Sequence, residues 1–197
     1  MWSSEVTNMI ITGIWETLYM TLVSTLVGYV IGLPMGIILT VSDKDGIKPN
    51  GVLYKILDVI ANIVRSVPFI ILLVLLIPFT RLVVGKSYGS TATIVPLVIA
   101  AAPYIARMVE SSLKEVDAGV IEAARSMGAS NFTIITKVML VEARTSLLVG
   151  ATITLGTILG YSAMSGAVGG GGLGAIAIRY GSVSYTHLRA HETSAHL

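Results

Sequence analysis

The chain has 197 residues, of which 54% are hydrophobic and only 12% are charged, and its formal net charge is +2. A soluble domain carries about 25% charged residues, so this composition indicates a membrane protein, and the small net charge argues against binding to nucleic acid. The sequence contains no cysteine, which excludes disulfides and thiolate metal sites. No positively charged region precedes the first apolar stretch, so the N-terminus does not resemble a cleaved signal peptide.

Four stretches are long and apolar enough to cross a membrane, which predicts an all-α membrane protein. They are Thr17 to Ser42, Val59 to Thr80, Ser87 to Ala106 and Thr145 to Ile178. The last stretch is too long for one span and is rich in glycine. We therefore expect a helix from Thr145 to about Met164, followed by a loop.

The first span carries Gly28, Gly32 and Gly36 at four-residue spacing, so one face of the helix has no side chains. Such a face predicts close packing against another helix, with a role in substrate binding as the alternative. Pro34 lies between two of these glycines and predicts a bend.

The second apolar run begins next to a charge, because only fifteen uncharged residues separate Arg65 from Arg81. We therefore expect Arg65 at membrane depth, where a charged side chain faces the protein interior or a partner. Asp58 lies seven residues earlier on the same helical face, and we expect the two to form an intramembrane charge cluster. The alternative is a cluster of Lys55, Asp58 and Arg65 that anchors the helix at the membrane interface.

The polar segment between the third and fourth spans, residues 113–140, has the pattern of two short helices with a glycine joint. Asp117 predicts the N-cap of the first helix, and Gly128 predicts its end in the left-handed conformation. Ser130 then predicts the start of the second helix. An amphipathic helix on lipid headgroups is one alternative. A DNA-reading helix-turn-helix is another, but the pair has no basic face.

Within this segment, residues 120–130 read Val-Ile-Glu-Ala-Ala-Arg-Ser-Met-Gly-Ala-Ser, which resembles the EAA loop of ABC-importer permeases. In that family the loop docks into a groove of the cytoplasmic ATPase subunit. The resemblance therefore implies that Glu122, Ala123, Ala124 and Gly128 couple this chain to an ATPase. The family pattern continues with Ile-x-Leu-Pro, and here valine replaces both the isoleucine and the proline in residues 138–141.

Three further segments, 65–73, 101–110 and 160–174, resemble the methionine-importer permeases, and the resemblance runs from about Ile11 to Ser182. It implies a homodimeric permease with two copies of an ATP-binding subunit and a substrate-binding lipoprotein that delivers methionine. ATP and magnesium then belong to the ATPase, and this subunit is expected to have no catalytic, cofactor or metal site. A permease for another amino acid or small solute is the alternative within the family.

Gly169, Gly171 and Gly174 also match the dinucleotide-binding pattern G-x-G-x-x-G. We do not interpret them as a nucleotide site, because no strand is predicted before them. The sequence has no Walker lysine motif either, so the chain itself is not expected to hydrolyse ATP.

Positive charges indicate the orientation in a bacterial inner membrane. The loops 43–55 and 107–144 hold eight lysines and arginines, whereas the opposite side holds only Arg81, Lys86 and Arg179. The positive-inside rule then places the N-terminus outside and the Glu122 loop in the cytoplasm.

The end of the fourth span is the expected gate. In a two-fold homodimer the flexible apolar side chain of Met164 would meet its copy on the axis and close the pathway, with Ser162 and Tyr161 beside it. The alternative is an ordinary packing methionine at a helix end.

The composition changes abruptly from about Ser184. We therefore divide the chain into a permease domain, residues 1–183, and a foreign or frame-shifted tail, residues 184–197, which replaces the last of five expected spans. All three histidines fall in this tail, with His187 and His191 at four-residue spacing. We expect no metal site there, because no supporting acid is evident beyond Glu192.

Two functions of other classes are alternatives to an importer permease. An ion-coupled secondary transporter needs ionisable residues near the middle of the bilayer, for which Glu16, Asp58 and Arg65 are the candidates, and it often has two repeated halves. No internal repeat is evident. A membrane scaffold without transport is the second alternative.

Overall fold

The computed structural model describes residues 4–181, and all regular secondary structure in that range is helical, as predicted. The predicted tail, 184–197, lies outside the described residues. In chain order the helices are α1 (Ser4–Ser42), α2 (Gly51–Ser66), α3 (Phe69–Leu75), α4 (Ile77–Val84), α5 (Ser90–Lys114), α6 (Ala118–Ser126), α7 (Asn131–Thr133), a π-helix (Ile134–Met139), α8 (Leu140–Glu142), α9 (Arg144–Ser165), a 3-10 turn (Gly166–Val168) and α10 (172–181).

Three of these helices, α1, α5 and α9, are long and apolar enough to cross a membrane, and α2 with α3 makes a fourth span if the broken pair is counted as one. The break follows from Pro68, which lacks an N–H and disfavours helical backbone in the residue before it. Val67 is accordingly extended, with φ −83° and ψ 124°. Three of the four predicted spans are therefore continuous helices, and the second is a broken pair that makes a fourth span only if its two helices are counted together.

The boundaries of several helices differ from the sequence prediction, and two of these differences bear on the start of α1 and on the glycine-rich segment. Helix α1 begins at Ser4 rather than Thr17, because Glu16 interrupts the apolar pattern of the sequence but not the helical backbone. The same helix continues past Pro34 to Ser42. The loop expected after Met164 is also shorter than predicted. It closes at residue 171, after glycines with positive φ at 169 and 171, and the chain then forms α10.

The chain forms two units, which are described separately. The first consists of Met1–Val23, Phe69–Leu97 and Leu159–Leu197, within the limits of the described residues. Here the carboxylate of Glu16 and the hydroxyl of Thr17 accept hydrogen bonds from the first backbone N–H groups of α10. The rings of Phe69 and Tyr161 stack at a centroid distance of 4.5 Å. The start of α1 therefore anchors the glycine-rich turn.

The second unit consists of Ser24–Pro68 and Val98–Ile158, and it is built on the close approach of α1 and α5. A Cβ atom added at Gly32 would lie 2.6 Å from the carbonyl oxygen of Ala102. One added at Gly36 would lie 2.6 Å from the carbonyl oxygen of Ala106. The predicted glycine face is thus confirmed as a contact between two helices, with backbone against backbone.

Candidate coupling site

The first helix of the polar segment, α6, has the predicted ends. The side chain of Asp117 accepts a hydrogen bond from the backbone N–H of Gly119 at 2.7 Å, which satisfies one of the unpaired donors at the helix start. At the other end Gly128 has φ +81°. The N–H groups of Gly128 and Ala129 bond back to the carbonyls of Arg125 and Ala124, as in a glycine-terminated helix.

The second helix of the segment begins at Ser130, whose hydroxyl accepts a hydrogen bond from the N–H of Thr133 at 3.2 Å. The helix is present as predicted, but Ile134–Met139 is wound as a π-helix between two short α-helical turns. Buried Ile134 and Met139 lie in this π-helix, and α6 packs against it. Helices of this kind occur mostly as local bulges, frequently at functional sites.

The four residues of the predicted coupling loop divide between two faces of the helix pair. Glu122, Ala123 and Gly128 are exposed, and a Cβ atom added at Gly128 would meet nothing within 4 Å. Ala124 is buried, so it packs inside this unit rather than on the outer surface. The outer face therefore presents a carboxylate, a small residue and bare backbone.

Two large apolar side chains flank the glycine joint, and reasoning from the sequence missed them. Met127 is 82% exposed and Phe132 is 76% exposed. Met127 is the C-cap residue of α6 and lies beyond its last helical turn. Exposed apolar side chains beside a polar helix are typical of surfaces that bind a partner.

Helix α6 is held to the loop between α1 and α2, residues 43–50, by polar contacts across an open space. The guanidinium of Arg125 donates a hydrogen bond to the carbonyl oxygen of Ile47 at 3.3 Å. A cavity of about 510 Å³ separates the two elements, and Asp43, Lys114 and Glu122 are among the residues that line it. The hydrogen bond from Arg125 therefore bridges α6 and this loop beside the cavity.

A buried carboxylate lies just before the coupling segment in the chain. Glu110 of α5 is 4% exposed and accepts hydrogen bonds from Arg107 at 2.7 Å, Lys114 at 2.8 Å and the hydroxyl of Tyr54 at 3.2 Å. The same Lys114 amine lies 2.6 Å from Asp43 of the α1–α2 loop. This hydrogen bond holds the pKa of the Asp43 carboxyl below its ordinary value.

The structure gives Asp58 a different partner from the expected Arg65. The Asp58 carboxylate pairs with Arg107 of α5, whose guanidinium also contacts the amide oxygen of Asn62 at 3.1 Å. Arg65 is exposed, and within residues 4–181 no carboxylate lies within 4.0 Å of it. Seven residues along a helix correspond to about 10.5 Å, which a short aspartate side chain does not bridge, whereas α5 brings Arg107 into direct contact. Lys55 is also exposed and does not join Asp58.

The three residues expected at the gate have different surroundings. Met164 is 51% exposed at the end of α9. Ser162 is buried and donates a hydrogen bond to the carbonyl oxygen of Leu159 at 2.8 Å. Tyr161 is stacked on Phe69. Within this chain, Met164 is therefore the one of the three with a free side chain to offer to a second copy.

The chain is similar to known transport proteins over most of its length. Residues 28–184 match the family described as "Binding-protein-dependent transport system inner membrane component". A probable D-methionine transport system permease protein, MetI, from Vibrio cholerae serotype O1 is 49% identical over 184 residues, or 93% of this chain and 82% of that protein. The D-methionine transport system permease protein MetI of Escherichia coli K12 is 55% identical over 158 residues, or 80% of this chain and 73% of that protein.

Solved structures give the same picture of the fold. A crystal form of the MetNI methionine ABC transporter in an inward-facing conformation matches with a TM-score of 0.91 and 53% identity, over 93% of this chain and 85% of the matched chain. An amino acid ABC transporter crystallised with histidines matches with a TM-score of 0.73 and 25% identity, over 92% of this chain and 81% of the other.

Proposed function

Because the chain belongs to the family of binding-protein-dependent transport system inner membrane components, we propose that it is the membrane-spanning permease subunit of an ATP-driven importer for methionine. The observation that carries this proposal is the 49% identity to a probable D-methionine permease over 93% of the chain. The fold supports it, with a TM-score of 0.91 against a methionine ABC transporter. A permease for a different small solute is not favoured.

The similarity to methionine permeases and to the methionine ABC transporter also supports the roles we propose for the subunits. The permease provides the pathway, and two copies of a separate cytoplasmic subunit bind and hydrolyse ATP. Two permease copies form the membrane core, and a substrate-binding lipoprotein delivers methionine from outside. The chain is oriented with its N-terminus outside and the Glu122 loop in the cytoplasm, which is supported by the excess of lysine and arginine in residues 43–55 and 107–144.

The coupling surface consists of Glu122, Ala123, Met127, Gly128 and Phe132. All five residues are exposed in this chain. We assign the apolar side chains at 127 and 132 as anchors that enter the ATPase groove, because apolar anchors surrounded by polar residues dominate binding energy at interfaces. Glu122 then faces a basic group of the ATPase, and the bare backbone at Gly128 allows the two surfaces to approach closely.

An ion-coupled transporter is not favoured by the positions of its candidate residues. Glu16 caps α10, Asp58 pairs with Arg107, and Arg65 is exposed. Each of the three candidate groups is therefore either engaged by another part of this chain or exposed.

The test is reconstitution of the permease with its ATPase subunit in lipid vesicles, followed by measurement of methionine uptake with and without ATP. We expect uptake that requires ATP and that excess unlabelled methionine inhibits more strongly than other amino acids. Uptake driven by an ion gradient without ATP would overturn the proposal, and ATP-dependent uptake of a different amino acid in preference would overturn the substrate assignment.

A charge reversal then tests the coupling surface. Glu122→Lys is expected to abolish ATP-dependent uptake while the permease remains in the membrane as a dimer. Glu142→Lys, which reverses an exposed carboxylate beyond the coupling segment, is the matched control and is expected to transport normally. Equal uptake by the two variants would remove Glu122 from the coupling surface.

A further inference from the structure

The ionic network around the buried Glu110 connects the start of the coupling segment to two other elements of the second unit. Glu110 bonds to Arg107, Lys114 and Tyr54. Arg107 extends the network to Asp58 of α2, and Lys114 extends it to Asp43 of the α1–α2 loop. One continuous set of contacts therefore joins α5, α2 and the loop.

The position of this network in the chain gives it a mechanical relation to the coupling segment. Lys114 is the last residue of α5, and the N-cap of α6, Asp117, follows three residues later. The α1–α2 loop is tied to α5 by Asp43 and Lys114, and it is tied to α6 by Ile47 and Arg125. The loop is thus held at one point by each of two consecutive helices.

The cavity between the loop and α6 bears on how movement of α6 is transmitted to the loop through the contacts of Lys114 and Arg125. Where side chains are closely packed, displacement of one element carries its neighbour along without help from ion pairs. Here about 510 Å³ of open space lies between α6 and the loop, so the hydrogen bond of Arg125 and the ion pair of Lys114, at the end of α5, provide a polar route for the displacement.

The balance of charge and burial fits a function in positioning better than a function in stability. Three carboxylates share two cations, and Glu110 is almost completely buried. Burying charges carries a desolvation cost that the mutual attraction often only offsets, so apolar residues of similar volume would stabilise the protein as well or better. Such a network does, however, hold its members in one arrangement.

We propose that Glu110 and Lys114 are positioning residues for transport: they fix the end of α5, which α6 follows after three residues, relative to α2 and the α1–α2 loop. Movement of α6 by the ATPase then reaches α2 and this loop as well as α5. This inference rests on the proposed function. It assigns a task to residues that are not members of the coupling surface formed by Glu122, Ala123, Met127, Gly128 and Phe132. Breaking the network would leave ATPase binding intact and uncouple hydrolysis from uptake.

The experiment measures methionine transported per ATP hydrolysed in the reconstituted complex, together with the amount of ATPase that co-purifies. Lys114→Met removes both ion pairs of the lysine while retaining an unbranched chain of similar length. We expect about a tenfold fall in methionine per ATP with unchanged co-purification, in the range measured for residues that couple distant sites. Lys114→Arg retains the charge and is expected to stay within about twofold of the unsubstituted protein.

Lys48→Met is the matched control, since it removes an exposed lysine of the same α1–α2 loop that forms no ion pair within the described part of the chain. We expect it to transport normally. A fall of equal size for Lys48→Met and Lys114→Met would overturn the inference, because loop charge in general would then explain the effect. Unchanged methionine per ATP for Lys114→Met would overturn it as well.

A second set of variants covers the case in which Lys114→Met assembles poorly. Asp43→Asn weakens only the outer contact and leaves the pair of Glu110 and Arg107 in place, and we expect the same uncoupling to a smaller degree. In the double variant Glu110→Gln, Asp43→Asn, methionine transported per ATP is expected to fall by less than the product of the two single-variant fold-changes. Both substitutions act through Lys114, so their effects overlap. Multiplicative effects would overturn the inference. If the unsubstituted complex shows no ATP-dependent uptake, the proposed function fails instead.

Discussion

The carboxylate of Glu16 accepts a hydrogen bond from the backbone N–H of Gly172 at 2.6 Å, so a residue near the start of the chain caps a helix that begins 156 residues later. The adjacent hydroxyl of Thr17 accepts from the N–H of Leu173 at 2.9 Å. A carboxylate at a helix N-terminus both satisfies an unpaired donor and interacts favourably with the helix dipole. Helix α10 therefore depends on α1 for its first turn.

Removing this cap should loosen α10 specifically. Glu16→Ala is expected to destabilise the first turn of α10 by about 1 kcal/mol, as for other lost N-caps. Hydrogen exchange followed by mass spectrometry should show faster exchange in residues 172–181 and unchanged exchange in α6. Glu16→Gln keeps an acceptor oxygen, so its exchange rate in residues 172–181 should lie between those of the unsubstituted protein and Glu16→Ala. Equal exchange rates in all three proteins would show that Glu16 does not cap α10.

The contact of α1 with α5 should tolerate no side chain at its centre. Gly32→Ala places a Cβ atom 2.6 Å from a carbonyl oxygen and 2.7 Å from the Cβ atom of Ile105, so the helices must separate. We expect a loss of about 1 to 3 kcal/mol, the usual range for overpacking. Gly156→Ala in α9 meets nothing within 4 Å and should be neutral or stabilising. Thermal unfolding in detergent compares them, and equal midpoints would contradict the close contact.

The glycine joint should be sensitive for a reason other than space. Gly128→Ala has open space around it but forces a side chain into φ +81°, at a cost of about 1 kcal/mol. Gly51→Ala also has open space, and its φ is not in the left-handed region. We expect reduced ATPase co-purification for the first variant only. A reduction of equal size for Gly51→Ala would argue against backbone strain as the cause.

The contact of Asp43 with Lys114 should be independent of pH near neutrality. Lys114 and Lys44 both lower the pKa of Asp43 from an ordinary value of 3.8. A carboxyl with a lowered pKa contributes stability above its ordinary value and loses it as the pH falls through the folded-state value. The difference in unfolding midpoint between the unsubstituted protein and Asp43→Asn should therefore be constant from about pH 5 to 8 and shrink below about pH 4. A difference that disappears near pH 6 would contradict this.

Met164 remains the candidate for the gate between two copies. Met164→Ala is expected to raise passive methionine flux through vesicles or ATP hydrolysis without uptake, because the shorter side chain no longer reaches its copy on the axis. A packing methionine would instead give lower expression without leak. Tight vesicles with no rise in flux or in uncoupled hydrolysis would remove Met164 from the gate.

Local signals in the sequence were sufficient for the elements that depend on short-range chemistry. The caps at Asp117 and Ser130, the left-handed end at Gly128 and the glycine face of α1 all follow from residue type and spacing, and each is present. The resemblance to importer permeases identified the family on the same local residues.

Features that depend on distant segments were not predictable in this way. Asp58 has a candidate partner on its own helix, but its actual partner comes from α5. Glu110 and Lys114 are ordinary charges in the sequence, and only their meeting with Asp43 makes them a network. The available signal was the spacing of Arg107, Glu110 and Lys114 along α5, three residues and then four, since residues so spaced share a helix face.

The backbone-to-backbone contact between α1 and α5 also limits which residues can replace those of α1. On the face toward α5, Gly32 and Gly36 accept no other residue without moving a backbone. On the opposite side of the same helix, Leu26 and Val30 are each 69% exposed within this chain, so apolar side chains of several sizes fit there. A library randomised along α1 should therefore return glycine alone at two positions and a broad apolar mixture one half-turn away.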